Sequence, residues 1–374
     1  MKLLALAEGA DHVCYRYRLA AFEPALARAG WQLECMPLAK NSLARVRQLC
    51  HARQADAVVL QRKLLPWWQL RFLRKHARLL IFDLDDAVFH RDSFHCKGTQ
   101  SWQRMARFWA TVYASDIVLA GNEFLRRQVA ALTDAAKAFW FPTCVVPQRY
   151  PLARHQRCGT LRLVWIGQRS TVPSLYAAHG QLSAAAAACG ELAGATLAAA
   201  KERCVELEQP DGGSGAAMEL RVVSDVFPKL AGLRVIERPW SASGEAAEVA
   251  AADVGISWLP GDDWSRGKCG LKVLQYMAAG LPVVANRVGV HTEMIIHGKT
   301  GFLADTPPEW AAAMARLAGD AELRAAMGAA ARRRVEALYS VAAWEESFVR
   351  WLDPCARGAR RDPCAPVARL ERAA

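Results

Sequence analysis

Two glycines and a lysine, in the run Gly267-Lys268-Cys269-Gly270, stand directly before a stretch of helix formers that Leu271 opens and that Gly280 and Pro282 stop. The first amides of a helix have no partner inside it, and the helix dipole favours an anion there. Lys268 and Lys272 add two positive charges one turn apart, and Gln275 follows Lys272 by three residues, on about the same face. Lysines at this spacing suit a diphosphate, and the Gln275 amide suits sugar hydroxyls. The same residues also fit a solvated lysine loop beside an amphipathic helix. A second anion-shaped loop is Gly167-Gln-Arg-Ser-Thr171, where Gly167 ends an apolar run and Arg169 supplies charge. A third cluster is acidic. Ile81 to Phe89 carries Asp83, Asp85 and Asp86, which repel unless cations or a metal ion pair with them; Arg16, Arg18 or Arg62 could neutralise them.

Positioning these residues requires strand ends, and the apolar pattern supplies them. In the first half, strands are expected at Lys2 to Ala7, Trp31 to Met36, Ala57 to Gln61, Leu79 to Phe82 and Ile117 to Ala120. Helices are expected at Arg18 to Ala29, Arg45 to Arg53, Trp67 to His76 and Glu123 to Leu132. Such alternation predicts a doubly wound parallel sheet that binds ligands at its strand ends, so Gly9, Asp83 to Asp86, and Gly121-Asn122 should face one crevice. After the polar stretch Arg149 to Gly159 the pattern restarts with strands at Leu161 to Gly167, Leu220 to Ser224 and Leu233 to Glu237. Pro239-Trp240 is expected to open a helix, and a strand from Val254 stops at Pro260-Gly261. The lysine loop, its helix, a strand at Pro282 to Ala285 and a helix at Val290 to Ile296 follow. Helices at Glu309 to Leu317, Glu322 to Leu338 and Val341 to Leu352 complete the pattern, so the expected domains are 1–155 with helix 341–352, and 160–338. Gln209 to Gly215 reads as a flexible loop and 353–374 as a basic, disordered tail.

Composition narrows the class. A chain of 374 residues, 53% of them hydrophobic, has material for two cores. Its apolar runs are of strand length, none approaches a membrane span, and Met1 to Glu8 is too short and too soon acidic for a signal peptide. Eleven cysteines, an odd number without a Cys-x-x-Cys pair, fit reduced thiols in a cytoplasm. The net charge of +12 is uneven, with 23 Lys and Arg against 12 Asp and Glu in residues 1–155. Trp67, Trp68 and Phe72 lie inside the basic run Arg45 to Arg78. That mixture suits an anionic membrane surface, with the protein peripheral on its inner face. Nucleic acid is the rival partner, and no nucleic-acid motif accompanies the patch.

The stretch Asp253 to Ala304 resembles the C-terminal signature of family 4 glycosyltransferases of the GT-B fold. The resemblance rests on Gly270, Met277-Ala278-Ala279-Gly280, Pro282-Val283-Val284-Ala285, Gly289, Glu293, and Gly298 through Gly301-Phe302-Leu303. It is similar above all to a branch with an Arg-Gly-Lys-Cys-Gly loop. The resemblance implies two doubly wound, Rossmann-like domains facing a cleft, with a C-terminal helix crossing back to the first. It implies transfer of a sugar from a UDP- or GDP-sugar to a lipid-linked or polysaccharide acceptor, with retained configuration and without a metal or other cofactor. Lys268, Lys272 and Arg169 would stabilise the leaving diphosphate. Gly167, Gly267, Gly270, Leu271, Gln275, Trp240 and Glu293 would bind the donor, and Trp240 could stack on its base. Gly9, Arg16, Arg18, Asp85, Asp86, His90 and Asn122 would lie on the acceptor side. The wider family carries two glutamates eight positions apart, where this chain has Gly267 and Gln275. That departure leaves open a non-catalytic nucleotide-sugar-binding protein on the same fold. Asp83 and Asp85 also resemble the first motif of haloacid-dehalogenase-type phosphatases, which implies a magnesium-dependent alternative.

Overall fold

The computed structural model describes residues 1–156, 159–202 and 217–353. The chain divides into two compact units, one of residues 1–146, 261–270 and 336–374, the other of residues 147–260 and 271–335. Each is built on a six-stranded parallel sheet.

The first unit alternates β1 (Lys2–Ala7), α1 (Val13–Arg18), α2 (Glu23–Arg28), β2 (Gln32–Pro37), α3 (Ser42–Leu49), β3 (Ala57–Gln61), α4 (Trp67–His76), β4 (Leu80–Leu84), α5 (Trp102–Ala114), β5 (Ile117–Ala120), α6 (Glu123–Ala130) and β6 (Ala138–Trp140). Strand order is β2-β1-β3-β4-β5-β6, so the winding reverses between β1 and β3. Strands β3, β4 and β5 are buried along their whole length and read as continuous apolar runs, as both faces of a parallel sheet demand. Two expected elements change. The helix expected at Arg18 to Ala29 is shorter: α1 ends at Arg18, a single 3-10 turn spans Ala20–Phe22, and α2 starts at Glu23 with Pro24, which lacks a donor, in its first turn. Helix α5 was not expected. It is amphipathic, with Phe108, Thr111 and Val112 buried and Trp102, Trp109 and Tyr113 exposed.

The second unit runs β7 (Leu161–Ile166), α7 (Pro173–Ala177), α8 (His179–Glu202), β8 (Met218–Ser224), β9 (Arg234–Pro239), α9 (Glu245–Ala250) and β10 (Val254–Ser257). The short helix α10 (Asp263–Arg266) belongs to the first unit. The second unit resumes with α11 (Leu271–Ala278), β11 (Val283–Ala285), α12 (His291–Met294), β12 (Gly301–Leu303), α13 (Pro307–Gly319) and α14 (Ala321–Leu338). Strand order is β12-β11-β10-β7-β8-β9, which puts the reversal between β7 and β10. Pro239 ends β9 instead of opening a helix, and α9 starts six residues later. The expected loop at Gln209 to Gly215 and all of the expected tail but Asp353 lie outside the described residues.

The last helix, α15 (Val341–Leu352), returns to the first unit. Phe348 stacks on Phe141 at 5.2 Å and meets Phe22 at 5.1 Å, while Trp344 meets Trp140 and Trp351 meets Phe139, each at 5.1 Å. Buried aromatic surface of this size makes α15 part of the first core. Among the described residues no helix is long and apolar enough to cross a membrane.

Candidate active site

In an open parallel sheet, loops diverge where the winding reverses, and ligands settle outside the strand C-termini there. In the second unit that point is the end of β7. Gly167 follows β7 directly, and a Cβ on it would lie 2.3 Å from the Trp165 ring and 2.6 Å from Thr171 Oγ1. Only glycine lets the loop turn so tightly over the indole. Lys272, on the first turn of α11, holds its Nζ 4.2 Å from the centroid of the same ring. The buried Trp165 side chain thus brings together the Gly167 loop and Lys272, which are distant in the chain. Below them the buried Tyr276 hydroxyl accepts a hydrogen bond from the Ile166 amide at 2.9 Å, tying α11 to the end of β7. Arg169 is exposed in the same loop, with its amide donating to Asp225 at 2.9 Å.

Other expected donor residues of this unit lie in different surroundings. Gln275 is buried, and its Nε2 donates to the Tyr150 hydroxyl at 3.2 Å. Trp240 is exposed, with Nε1 donating to Glu245 at 2.9 Å. Glu293 is half-buried on α12, and its carbonyl accepts from Arg334 at 2.8 Å. Leu271 is half-buried at the first position of α11.

His291 lies nearby in sequence and is fully enclosed. Its Nδ1 is 2.9 Å from the Asn286 carbonyl and its Nε2 2.9 Å from Ser257 Oγ. A carbonyl only accepts, so Nδ1 carries the proton and Nε2 accepts from the serine. Burial pulls the imidazole pKa down to about 4. Between that value and the ordinary one near ~6.5, the unfolded chain binds a proton that the folded chain refuses. Stability therefore falls as pH drops through this window, by on the order of 3 kcal/mol for this one group. Urea unfolding at pH 7 and pH 4.5 should show the loss, and His291→Gln should reduce it. An equal loss in the variant would refute the assignment.

The first unit holds the acidic cluster and the lysine loop. Asp83 is buried and accepts from Arg18 Nε at 2.9 Å, Arg18 Nη2 at 2.6 Å and Gln61 Nε2 at 2.9 Å. Arg62 Nη2 bonds Asp86 at 2.5 Å, and Arg62 Nε lies 3.2 Å from Asp85. Arg18 and Arg62 thus pair with the cluster, and the Arg16 guanidinium lies 5.6 Å from the centroid of the Tyr17 ring. Arg62 takes a left-handed backbone, φ 58°, with its amide donating to Asp83 O at 2.9 Å. That conformation costs a non-glycine residue roughly 1–2 kcal/mol. Burial pushes the Asp85 carboxyl above its ordinary range, against the pull of Arg62. A phosphatase nucleophile must reach its substrate, and both Asp83 oxygens are instead engaged inside the protein.

The lysine loop packs on this cluster. Lys268 Nζ lies 3.4 Å from Asp86 Oδ1 and 4.4 Å from the Trp264 ring centroid. Gly267 crosses so close to Ala87 that a Cβ would sit 2.4 Å from the alanine Cβ. Gly270 then turns the chain through φ 63°. Asn122, expected on the acceptor side, caps α6 and donates from Nδ2 to the carbonyls of Arg266 at 3.0 Å and Lys268 at 2.9 Å. It is buried and acts as a clamp on the loop backbone. His90 is also buried, and burial lowers its pKa. Gly9 is half-buried in the turn after β1. Nothing in the local pattern singles out Trp165, Tyr150 or Gln61, because a long-range contact made by a core-type residue has no local signature.

Residues 232–320 match the family described as Glycosyl transferases group 1. A D-inositol 3-phosphate glycosyltransferase from Pseudarthrobacter chlorophenolicus is 40% identical over 100 residues, which make up 26% of this chain and 23% of that protein. The match therefore spans about a quarter of that relative's length. Sucrose-phosphate synthase from Thermosynechococcus elongatus superposes with a TM-score of 0.67 at 16% identity, covering 93% of this chain and 97% of that one. Anabaena HepE, solved with UDP and glucose, gives 0.63 at 14% identity, covering 94% and 99%. A glycosyltransferase from Rickettsia africae gives 0.65 at 11%, covering 96% and 99%. The fold is GT-B, as the resemblance implied. On that scaffold the match to the group 1 glycosyl transferases lies in the second half of the chain.

Proposed function

We propose that the protein transfers a glycosyl group from a nucleoside-diphosphate sugar to an acceptor hydroxyl. The observation that carries the proposal is Lys272 over Trp165 beside the Gly167 loop, at the reversal point of the second sheet. The bond from the sugar's anomeric carbon to the phosphate oxygen breaks, and its electron pair leaves with the diphosphate. Lys272, Arg169 and the first amides of α11 neutralise that developing charge. The acceptor oxygen forms the new bond on the same face of the sugar, so configuration is retained, and its proton passes to the departing phosphate. These steps ask nothing of a metal ion. We extend the assignment to Lys268, four residues before Lys272 in the chain. The named HepE structure contains UDP and glucose, which supports a UDP-sugar as the first donor to try. The acceptor is assigned as a lipid-linked or envelope polysaccharide, met from the cytoplasmic side of a membrane.

A thermal-shift screen over UDP, GDP and ADP, followed by turnover of the matching sugar nucleotides with and without EDTA, tests this. A nucleotide at a hundred times its Kd should stabilise the protein by about 2.7 kcal/mol. Transfer is expected to survive EDTA. Stabilisation without turnover would decide for a nucleotide-sugar-binding protein, and absence of both would overturn the proposal.

A further inference from the structure

We propose that the outer surface of α4 and α5 docks the protein onto an anionic lipid bilayer, with the aromatic side chains of α5 entering the interface. This deepens the acceptor side of the function above, and it rests on that reading only for the expectation that the acceptor is lipid-linked.

Five large aromatic side chains stand exposed on these two helices. Trp102 is 82% exposed, Tyr113 66% and Trp109 40% on α5, and Trp67 is 66% and Trp68 48% exposed on α4. The spacing of Trp102, Trp109 and Tyr113, at i, i+7 and i+11, puts them on one side of α5. Thr111, on the opposite side, is buried, and Phe108 and Val112 beside it are in the core. The two helices follow β3 and β4, which are neighbours in the sheet and wind the same way, and they pack against each other. Phe72 of α4 and Ala110 and Ala114 of α5 belong to one apolar cluster. The exposed aromatics therefore share one face of the first unit. A core does not need them there, and a water-soluble surface is less stable for carrying them.

Charge says what covers this face. Helices α4 and α5 contain Arg71, Arg74, Lys75, Arg104 and Arg107 and no acidic residue. Arg74 is engaged with Asp116 at 2.5 Å, and Arg104 with the His90 carbonyl at 2.8 Å. Arg71 and Lys75 are exposed and make no side-chain hydrogen bond or ion pair among the described residues. Tryptophan and tyrosine prefer the boundary between headgroups and acyl chains, where a ring is buried and its N–H or O–H stays wet. Lysine and arginine beside them meet lipid phosphates. A protein partner of ordinary composition would be expected to offer acids at specific points. A bilayer instead offers a continuous negative surface over an apolar layer, which matches aromatics spread over two helices beside the exposed cations of α4.

Sedimentation of the full chain with vesicles of phosphatidylcholine alone, and of phosphatidylcholine with phosphatidylglycerol, tests this at low and high salt. Wild type should bind the anionic vesicles at low salt and weakly elsewhere. Arg71→Glu with Lys75→Glu should weaken partitioning at least about twentyfold, since each basic residue near the surface contributes about fivefold. Trp102→Ser with Tyr113→Ser should lose binding even at low salt. Both variants should keep the wild-type melting temperature and the wild-type response to nucleotide, which separates a failure here from a failure of the donor assignment. Absence of wild-type binding to anionic vesicles would overturn the proposal. So would equal binding by all variants, or self-association through this face seen in sedimentation velocity.

Discussion

Lys272→Ala should lower kcat/KM for sugar transfer about a hundredfold, a barrier increase on the order of 3 kcal/mol. The reason is the position of Lys272. Its ammonium lies at the end of β7, against an indole that leaves it little water on one side. A charge so placed is already oriented for the anion that develops as the diphosphate leaves, and the alanine variant must leave that charge to water. The effect should fall on kcat as well as KM, because negative charge at the leaving oxygen is greater in the transition state than in the bound donor. Lys272→Arg should recover part of the rate. The melting temperature is measured alongside, so that a loss of fold is told apart from a loss of rate. Steady-state kinetics on the donor found by the nucleotide screen will measure this. A rate within about threefold of wild type, well short of the loss expected for a charge on the leaving group, would remove Lys272 from the mechanism.

The second large effect concerns stability of the first unit. Arg18→Met should destabilise it by about 3–5 kcal/mol, because it strands a buried carboxylate. Asp83 has no exposed atom to turn towards water, and without Arg18 only Gln61, among the described residues, still donates to its side chain. The arginine also donates to the Phe141 carbonyl at 2.9 Å, and its guanidinium lies 4.9 Å from that ring. Replacing both charges, Arg18→Met with Asp83→Leu, should restore much of the loss, since the desolvation of the pair goes with it. Urea denaturation of the two variants gives the comparison. A single variant within about 1 kcal/mol of wild type would show that the pair is not buried as described.

The acidic cluster illustrates how local sequence and tertiary structure divide the information. That three carboxylates in four positions need cations is a matter of Coulomb repulsion, and it follows from the residue types alone. Which cations answer is decided by the fold. Arg18 and Arg62 come from different elements, and strand pairing of β3 with β4 brings Arg62 to Asp85 and Asp86.

Much of the architecture was written locally. Continuous apolar runs such as Ala57–Gln61 and Ile117–Ala120 specify strands buried on both faces, and Trp67–His76 specifies its helix to the residue. The GT-B fold and the signature around α11 were legible for the same reason: glycines, prolines and periodic apolar residues act over a few positions. Helix α5 is amphipathic and was nonetheless not expected, and the tertiary structure alone shows which of its aromatics are buried and which are exposed. The lysine loop shows the other limit. Its residues suggested an anion site, and its membership in the first unit depends on Asn122 holding two of its carbonyls and on Gly267 fitting against Ala87. Contacts between positions so far apart in the chain leave no mark on local spacing, so only the folded chain could decide them.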